Sequence, residues 1–233
     1  MGERGWDRPE FVYVWGDAYV DHPSFGAAII CRLLEKHGFK ICFLAQPDWR
    51  TTEDFMRFGC PRLGFLVSSG NIDSMVNHYT VAKKRRQKDY YSPGGKMGLR
   101  PDRAVIVYGN KIREAYKNVP IIIGGVEASL RRLSHYDYWD NKIRRSVLLD
   151  SGADLLLYGM GEHQIVETAE ALDNGIPVNE ITFIKGSVYK TKDEGRIYDF
   201  IRLPKYNDIL KSKTLFAKNF MEQYENTDAV TAK

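Results

Sequence analysis

Phe11-Val-Tyr-Val-Trp-Gly-Asp-Ala-Tyr-Val-Asp-His-Pro-Ser-Phe-Gly26 is the stretch that decides the fold of this chain. Five apolar residues of strand length, Phe11 to Trp15, give way to a turn of Gly, Asp, His and Pro. Ser24 to His37 then carries Ala27, Ala28, Cys31 and Leu34 at helical spacing, and Gly38 stops it. This is one strand-to-helix unit, and the pattern recurs. Phe39 to Ala45, Leu63 to Val67, Val119 to Ile123 and Leu155 to Tyr158 are further strand-length apolar runs.

The segments between them carry helical signals. Thr51-Thr-Glu-Asp54 caps a short helix through Phe58, and a helix is expected from Ile72 to about Arg86, broken by Ser92-Pro-Gly-Gly-Lys96. Arg100-Pro-Asp102 opens another, with Pro101 near its first turn and a stripe through Val105, Ile112 and Tyr116; Glu162 to Leu172 is the last. Strands alternating with helices predict an α/β protein with a doubly wound parallel sheet, over residues 1–178. Residues 179–233 are expected to form an appended segment. In it, Ile181 to Tyr189 and Arg196 to Leu203 make a β-hairpin around Lys192-Asp-Glu-Gly195, Pro204 stops it, and Asp208 to Tyr224 is a terminal helix. Asn226 to Lys233 then trails off without a closing element.

Composition bounds the function. In 233 residues, 43% hydrophobic and 27% charged, a sizeable core is available, and the 4 Trp, 14 Tyr and 11 Phe exclude a disordered or low-complexity chain. Cys31, Cys42 and Cys60 are too far apart for metal or redox C-x-x-C spacing, so a reducing, cytoplasmic setting is expected. The apolar runs are strand-length, which predicts no membrane insertion. The net charge of +4 is uneven: Val81 to Arg145 holds 16 Lys/Arg against 6 Asp/Glu, leaving 18 against 24 elsewhere. Such a block either faces phosphates, nucleic acid or an acidic partner domain, or is a set of solvated helix faces.

In an open parallel sheet, ligands bind beyond the carboxyl ends of the strands. The candidate site is therefore the rim formed by the loops after each strand. After the first come Gly16, Asp17, Asp21 and His22; after the third, Ser68, Ser69, Gly70 and Asn71; after the fourth, Gly124, Gly125 and Glu127; after the fifth, Gly159, Gly161 and Glu162. Glycine lets a ligand approach the backbone, and the helix starts that follow offer free amides to phosphate-like groups, although glycine at such turns is also ordinary backbone chemistry. His22 is placed either to ligate a metal or shuttle a proton, or, with Asp21, to cap the helix at Pro23. Arg131, Arg132 and His135 set cations among aromatics, as suits a planar or phosphate-bearing ligand or a polar interface with a partner domain. No His or Cys lies at a second ligand interval, so no metal site is expected. Neither a Walker-type loop, nor a G-x-G-x-x-G turn after the first strand, nor a G-x-S-x-G elbow is present, and no catalytic residue is assigned.

Gly16-Asp-Ala-Tyr-Val-Asp-His-Pro-Ser-Phe-Gly26, Ala45-Gln-Pro-Asp-Trp49, Gly70-Asn-Ile-Asp-Ser-Met75, Arg100-Pro-Asp-Arg103, Gly124-Gly-Val-Glu-Ala-Ser-Leu-Arg-Arg-Leu-Ser-His-Tyr-Asp-Tyr-Trp139, Arg144-Arg-Ser-Val147 and Gly159-Met-Gly-Glu162 resemble the amino-terminal region of the YgiQ-type radical SAM proteins, a family of unassigned reaction. The resemblance covers nearly the whole chain. It implies a Rossmann-like domain similar to the cobalamin-binding domains that precede many radical SAM barrels. It also implies, for a full-length protein, a [4Fe-4S] cluster and S-adenosylmethionine. The family's C-x3-C-x2-C motif is missing here, and three thiolates are needed to hold such a cluster.

Two functional readings follow. The first is an accessory or ligand-binding domain whose barrel partner lies outside this chain, with a cobalamin-like ligand as candidate and an unknown small-molecule or macromolecular substrate. The D-x-H-x-x-G signature of axial histidine ligation needs Asp two residues before His22, where Val20 stands. The second is a non-catalytic nucleotide or nucleic-acid binding module using Lys83-Lys-Arg-Arg86 and the Arg131 to Arg145 cluster.

Overall fold

The computed structural model describes residues 1–227, so most of the expected tail from Asn226 to Lys233 lies outside the described residues. The strands are β1 (Phe11–Trp15), β2 (Ile41–Ala45), β3 (Gly64–Ser68), β4 (Ile121–Ile123), β5 (His135–Asp137), β6 (Lys142–Arg144), β7 (Leu155–Leu157) and β8 (Ser187–Tyr189). The helices are α1 (Gly26–Lys36), α2 (Glu53–Met56), α3 (Ser74–His78), α4 (Ala104–Ala115), α5 (Gly125–Leu130), α6 (Val147–Asp150), α7 (Glu162–Asp173), α8 (Tyr206–Ile209) and α9 (Lys213–Glu225).

The main sheet runs β2-β1-β3-β4-β7-β8, parallel except for β8. That order is the doubly wound, flavodoxin-like one, with its reversal between β1 and β3. Every residue of β1, β3, β4 and β7 is buried, which is why these strands read as continuous apolar runs rather than as alternations. Successive side chains enter two cores. Phe11, Tyr13, Trp15, Leu66, Ile122 and Leu157 pack on one face with Ala27, Cys31 and Leu34 of α1 and Ile165 and Ala169 of α7. Val12, Val14, Phe65, Ile121 and Leu156 pack on the other with Phe55 of α2, Tyr108 and Ile112 of α4, and Leu148 of α6.

The chain packs as two units, one of residues 1–133 and 146–190 and one of residues 134–145 together with those from Thr191 on. In the second, β5 and β6 pair antiparallel, with Asp137 accepting from the Trp139 amide at 3.0 Å and from Arg144 Nε at 2.6 Å. Tyr206 Oη donates to the Ile143 carbonyl at 3.2 Å, and Ser212 caps α9 by accepting from the Leu215 amide.

Four expectations are corrected. The helix from Ile72 toward Arg86 ends at His78. His78 Nδ1 lies 2.6 Å from Asp102 Oδ1, Tyr79 Oη donates to Asp102 Oδ2 at 2.6 Å, and the chain turns back so that Tyr79 pairs with Arg85. Extending the helix would also stack Lys83, Lys84 and Arg86 within a turn of one another. Pro101 lies outside α4: the helix starts at Ala104, after Arg103 at φ 51°, and its first amides are held by side chains from elsewhere, Ala104 N by Ser74 Oγ and Val105 N by Glu127 Oε1. The expected hairpin between Ile181–Tyr189 and Arg196–Leu203 does not form. Instead β8 pairs with β7, Leu156 facing Val188, because the apolar Leu155–Leu157 strand had an unfilled backbone edge. Glu194–Arg196 is a 3-10 turn capped by the Asp193 carboxylate. The single helix expected over Asp208 to Tyr224 is likewise two, α8 and α9.

Candidate functional site

Parallel pairing brings the ends of the strands into one row, with Trp15 opposite both Ala45 and Ser68, Val67 opposite Ile123, and Ile123 opposite Leu156. Beyond that row, on the face covered by α1 and α7, lies a cavity of about 230 Å³. Its floor is Tyr13, Trp15, Leu66, Ile122 and Leu157; Gly26 and Ile30 of α1 and Ile165 of α7 form its sides; Gly124, Gly125, Gly159, Met160, Gly161 and Glu162 form its rim. Five of the sequence-predicted residues, Gly124, Gly125, Gly159, Gly161 and Glu162, meet here. Trp15, the last residue of β1, is 4% exposed, and its indole N–H is buried with no hydrogen-bond partner. Such a donor costs free energy when left unmade, while the charged group at the rim of the hollow is Glu162. Gly125 has φ +81°, and a Cβ there would lie 2.5 Å from Ser68 Oγ, so both its conformation and Ser68 beneath it require glycine.

The reversal point between β1 and β3 is filled by the protein itself. Arg100, fully buried, donates to the Asp17 carboxylate and to the Ser69 carbonyl (2.9 Å), and its other terminal nitrogen lies 3.0 and 3.2 Å from the Asp89 carboxylate. Asp17 also accepts from the Asn71 backbone N–H (2.7 Å) and side-chain amide (3.0 Å). Burial pushes the Asp17 carboxyl up to about 6, against the opposing pull of Arg100. A Cβ on Gly16 would collide with the Ser69 carbonyl and one on Gly70 with Asp17. Gly16, Asp17, Ser69, Gly70 and Asn71 therefore pack around the pair of Asp17 and Arg100.

Glu127 is buried and accepts from the amides of Ser74 (2.8 Å) and Val105 (3.1 Å), while Arg131 pairs with Asp73, which itself caps α3. Arg132 lies with its guanidinium 4.9 Å from the centre of the Tyr158 ring and donates to the Ser129 carbonyl. Ser129 Oγ in turn accepts from the Gly159 amide, which ties this pair to the rim. Asp21 and His22 are exposed: Asp21 pairs with Arg32 at 2.6 Å, and His22 Nδ1 accepts from the Ser24 amide at 3.1 Å, so both serve the entry to α1. His135 belongs to the second unit, where it faces Arg144 across β5 and β6.

The cysteines do not fit an iron-sulfur cluster. Cys31 packs with one core and Cys42 with the other, on opposite faces of the sheet, and Cys60 is exposed before the amino end of β3. Burial pushes the Cys31 thiol up to about 12, away from the thiolate that iron requires. Among the described residues no group of three or more His, Cys, Asp or Glu is placed to hold a metal, and no helix is long and apolar enough to cross a membrane.

Sequence reasoning missed Trp15, Asp89 and Arg100. Trp15 read only as the end of a strand, although its position at a carboxyl end marked it for the rim. Arg100 read as a helix start because a lone charged residue is expected at the surface.

The family described as radical SAM N-terminal matches residues 1–233. A UPF0313 protein of Clostridium perfringens (strain SM101 / Type A) is 56% identical over 234 residues, covering 100% of this chain and 35% of that protein. A UPF0313 protein of Clostridium botulinum (strain ATCC 19397 / Type A) is 54% identical over 233 residues, covering 100% and 36%. The chain thus spans about a third of the length of these relatives. Among solved structures, the radical S-adenosylmethionine methyltransferase TsrM from Kitasatospora setae, with tryptophan substrate and the SAM analog aza-SAM bound, matches 78% of this chain and 29% of its own at a TM-score of 0.50 and 18% identity, a likeness of fold.

Proposed function

This chain belongs to the radical SAM N-terminal family, and from that premise we propose that it is the ligand-holding accessory domain of a radical SAM protein. The observation that carries the reading is the largely apolar cavity at the carboxyl edge of the sheet, lined by Trp15 and rimmed by glycines. A ligand with a flat apolar body would fill it against Trp15. Gly124, Gly159 and Gly161 leave the rim open to its remaining groups.

A cobalamin-like molecule is the candidate that the family resemblance implies. Its nitrogen heterocycle would take the cavity against Trp15. His22 would not serve as its axial ligand, because its Nδ1 is engaged by the Ser24 amide and the signature aspartate is Val20. The cluster and S-adenosylmethionine would be held by a barrel beyond this domain, in the reducing cytoplasm where Cys60 stays a thiol, and this domain would present a ligand or substrate to it.

Titration calorimetry with hydroxocobalamin, benzimidazole ribonucleoside and adenosine tests the reading, with Trp15→Phe alongside. Saturable binding by the parent chain, weakened about fivefold or more in Trp15→Phe as part of the apolar surface lining the cavity is lost, is the expected result. No saturable binding by any of the three, or equal affinity in the variant, would overturn it.

A further inference from the structure

Between α3 and α4 the chain makes a strap whose outer part, Val81 to Lys88, is exposed throughout and carries Lys83, Lys84, Arg85, Arg86 and Lys88 with no acidic residue. It is a built turn. The Thr80 amide donates to the Lys84 carbonyl (2.9 Å), the Lys83 amide to the Thr80 carbonyl (2.9 Å), the Lys84 amide to Thr80 Oγ1 (3.2 Å) and the Arg86 amide to the His78 carbonyl (2.8 Å). Both roots are anchored in the interior, His78 and Tyr79 on Asp102 and the buried Asp89 on Arg100. Among the described residues, Lys84, Arg86 and Lys88 have no carboxylate within ion-pair distance. Next to the second root stands Tyr90, 86% exposed.

We infer that this strap is a binding surface for single-stranded nucleic acid. Lys84, Arg86 and Lys88 are held in a fixed turn with no carboxylate at ion-pair distance among the described residues, so their mutual repulsion is relieved by an external polyanion. A phosphate chain supplies the charge. The exposed Tyr90, two residues beyond Lys88, is what separates a nucleic-acid strand from an acidic polypeptide, since unpaired bases stack on such rings and carboxylates do not. A single strand is favoured over a duplex for the same reason. The inference is independent of the cavity and its ligand.

Fluorescence anisotropy tests it, titrating the 233-residue chain into a labelled single-stranded RNA of mixed sequence, the same RNA annealed to its complement, and a polyglutamate peptide. The single strand is expected to bind most tightly, with log affinity falling against log salt by about 0.7 for each phosphate contacted. Lys84→Gln with Arg86→Gln should weaken binding about tenfold at low salt and reduce that slope by about 1.4. Tyr90→Ala should weaken it about tenfold while leaving the slope unchanged, and Lys40→Gln, before β2, should change neither. Circular dichroism confirms that each variant is folded. Absence of binding at about 50 mM salt, tighter binding of polyglutamate or of the duplex, or indifference to either strap variant would each overturn the inference.

Discussion

Arg100 lies fully buried with its guanidinium against the carboxylate of Asp17, 83 positions away in the chain, at the point where the strand order of the sheet reverses. Doubly wound sheets leave a crevice there for a ligand. In this protein the crevice is closed by an ion pair that also reaches Asp89 and the Ser69 carbonyl, and the open hollow lies beside it, toward β4 and β7. The pair is a structural keystone of the rim.

Removing it should be costly. Arg100→Ala leaves two carboxylates, Asp17 and Asp89, buried without their cation, and such uncompensated charge costs about 3–5 kcal/mol. Urea unfolding followed by circular dichroism measures this; a loss under about 1 kcal/mol would mean that the cluster is solvated.

A pH dependence follows from Asp17. Its carboxyl, pushed up to about 6 from the ordinary 3.8, holds a proton in the folded chain that the unfolded chain has already released between those values. Raising the pH through that window therefore lowers stability, by about 2–3 kcal/mol in full. Asp89 and Asp102 are held below their ordinary values, so their contribution is lost only as pH falls through still lower values. Asp17→Asn should abolish the decline between about pH 4 and 6. Urea midpoints of parent and variant that run parallel across this range would show that Asp17 is ionised throughout.

Gly125→Val separates packing from binding. The positive φ and the 2.5 Å approach to Ser68 Oγ make it destabilising, by about 1–3 kcal/mol. Adding Ser68→Ala should recover the part due to collision and leave the part due to φ. Calorimetry then shows whether Gly125 also serves the cavity: a folded variant with undiminished affinity for a ligand that the parent binds removes it from the site.

Anaerobic reconstitution with iron and sulfide should leave this chain without a stoichiometric cluster and without cleavage of S-adenosylmethionine. Cys31 and Cys42 sit on opposite faces of the sheet, and among the described residues no group of three His, Cys, Asp or Glu is placed to hold a metal. A [4Fe-4S] spectrum accompanied by 5′-deoxyadenosine would refute this.

The strands and the long helices were legible in the sequence because their signals are local. Phe11–Trp15 matches β1 residue for residue, and Ala27, Ala28, Cys31 and Leu34 are the buried residues of α1, since a buried parallel strand must be apolar throughout and a helix covering it must be apolar along one stripe. The glycine-bearing rim followed from the same alternation, and Gly124, Gly159 and Gly161 do line the hollow. Tertiary structure decided the rest. The end of α3 at His78, the burial of Arg100 and the pairing of β8 with β7 each depend on a partner far along the chain: Asp102, Asp17 and the open edge of Leu155–Leu157. Charge and hydrogen-bonding capacity are written at single positions, but whether a charge is buried depends on the group that meets it. That meeting is set by the winding of the sheet, and no local pattern of residues records it.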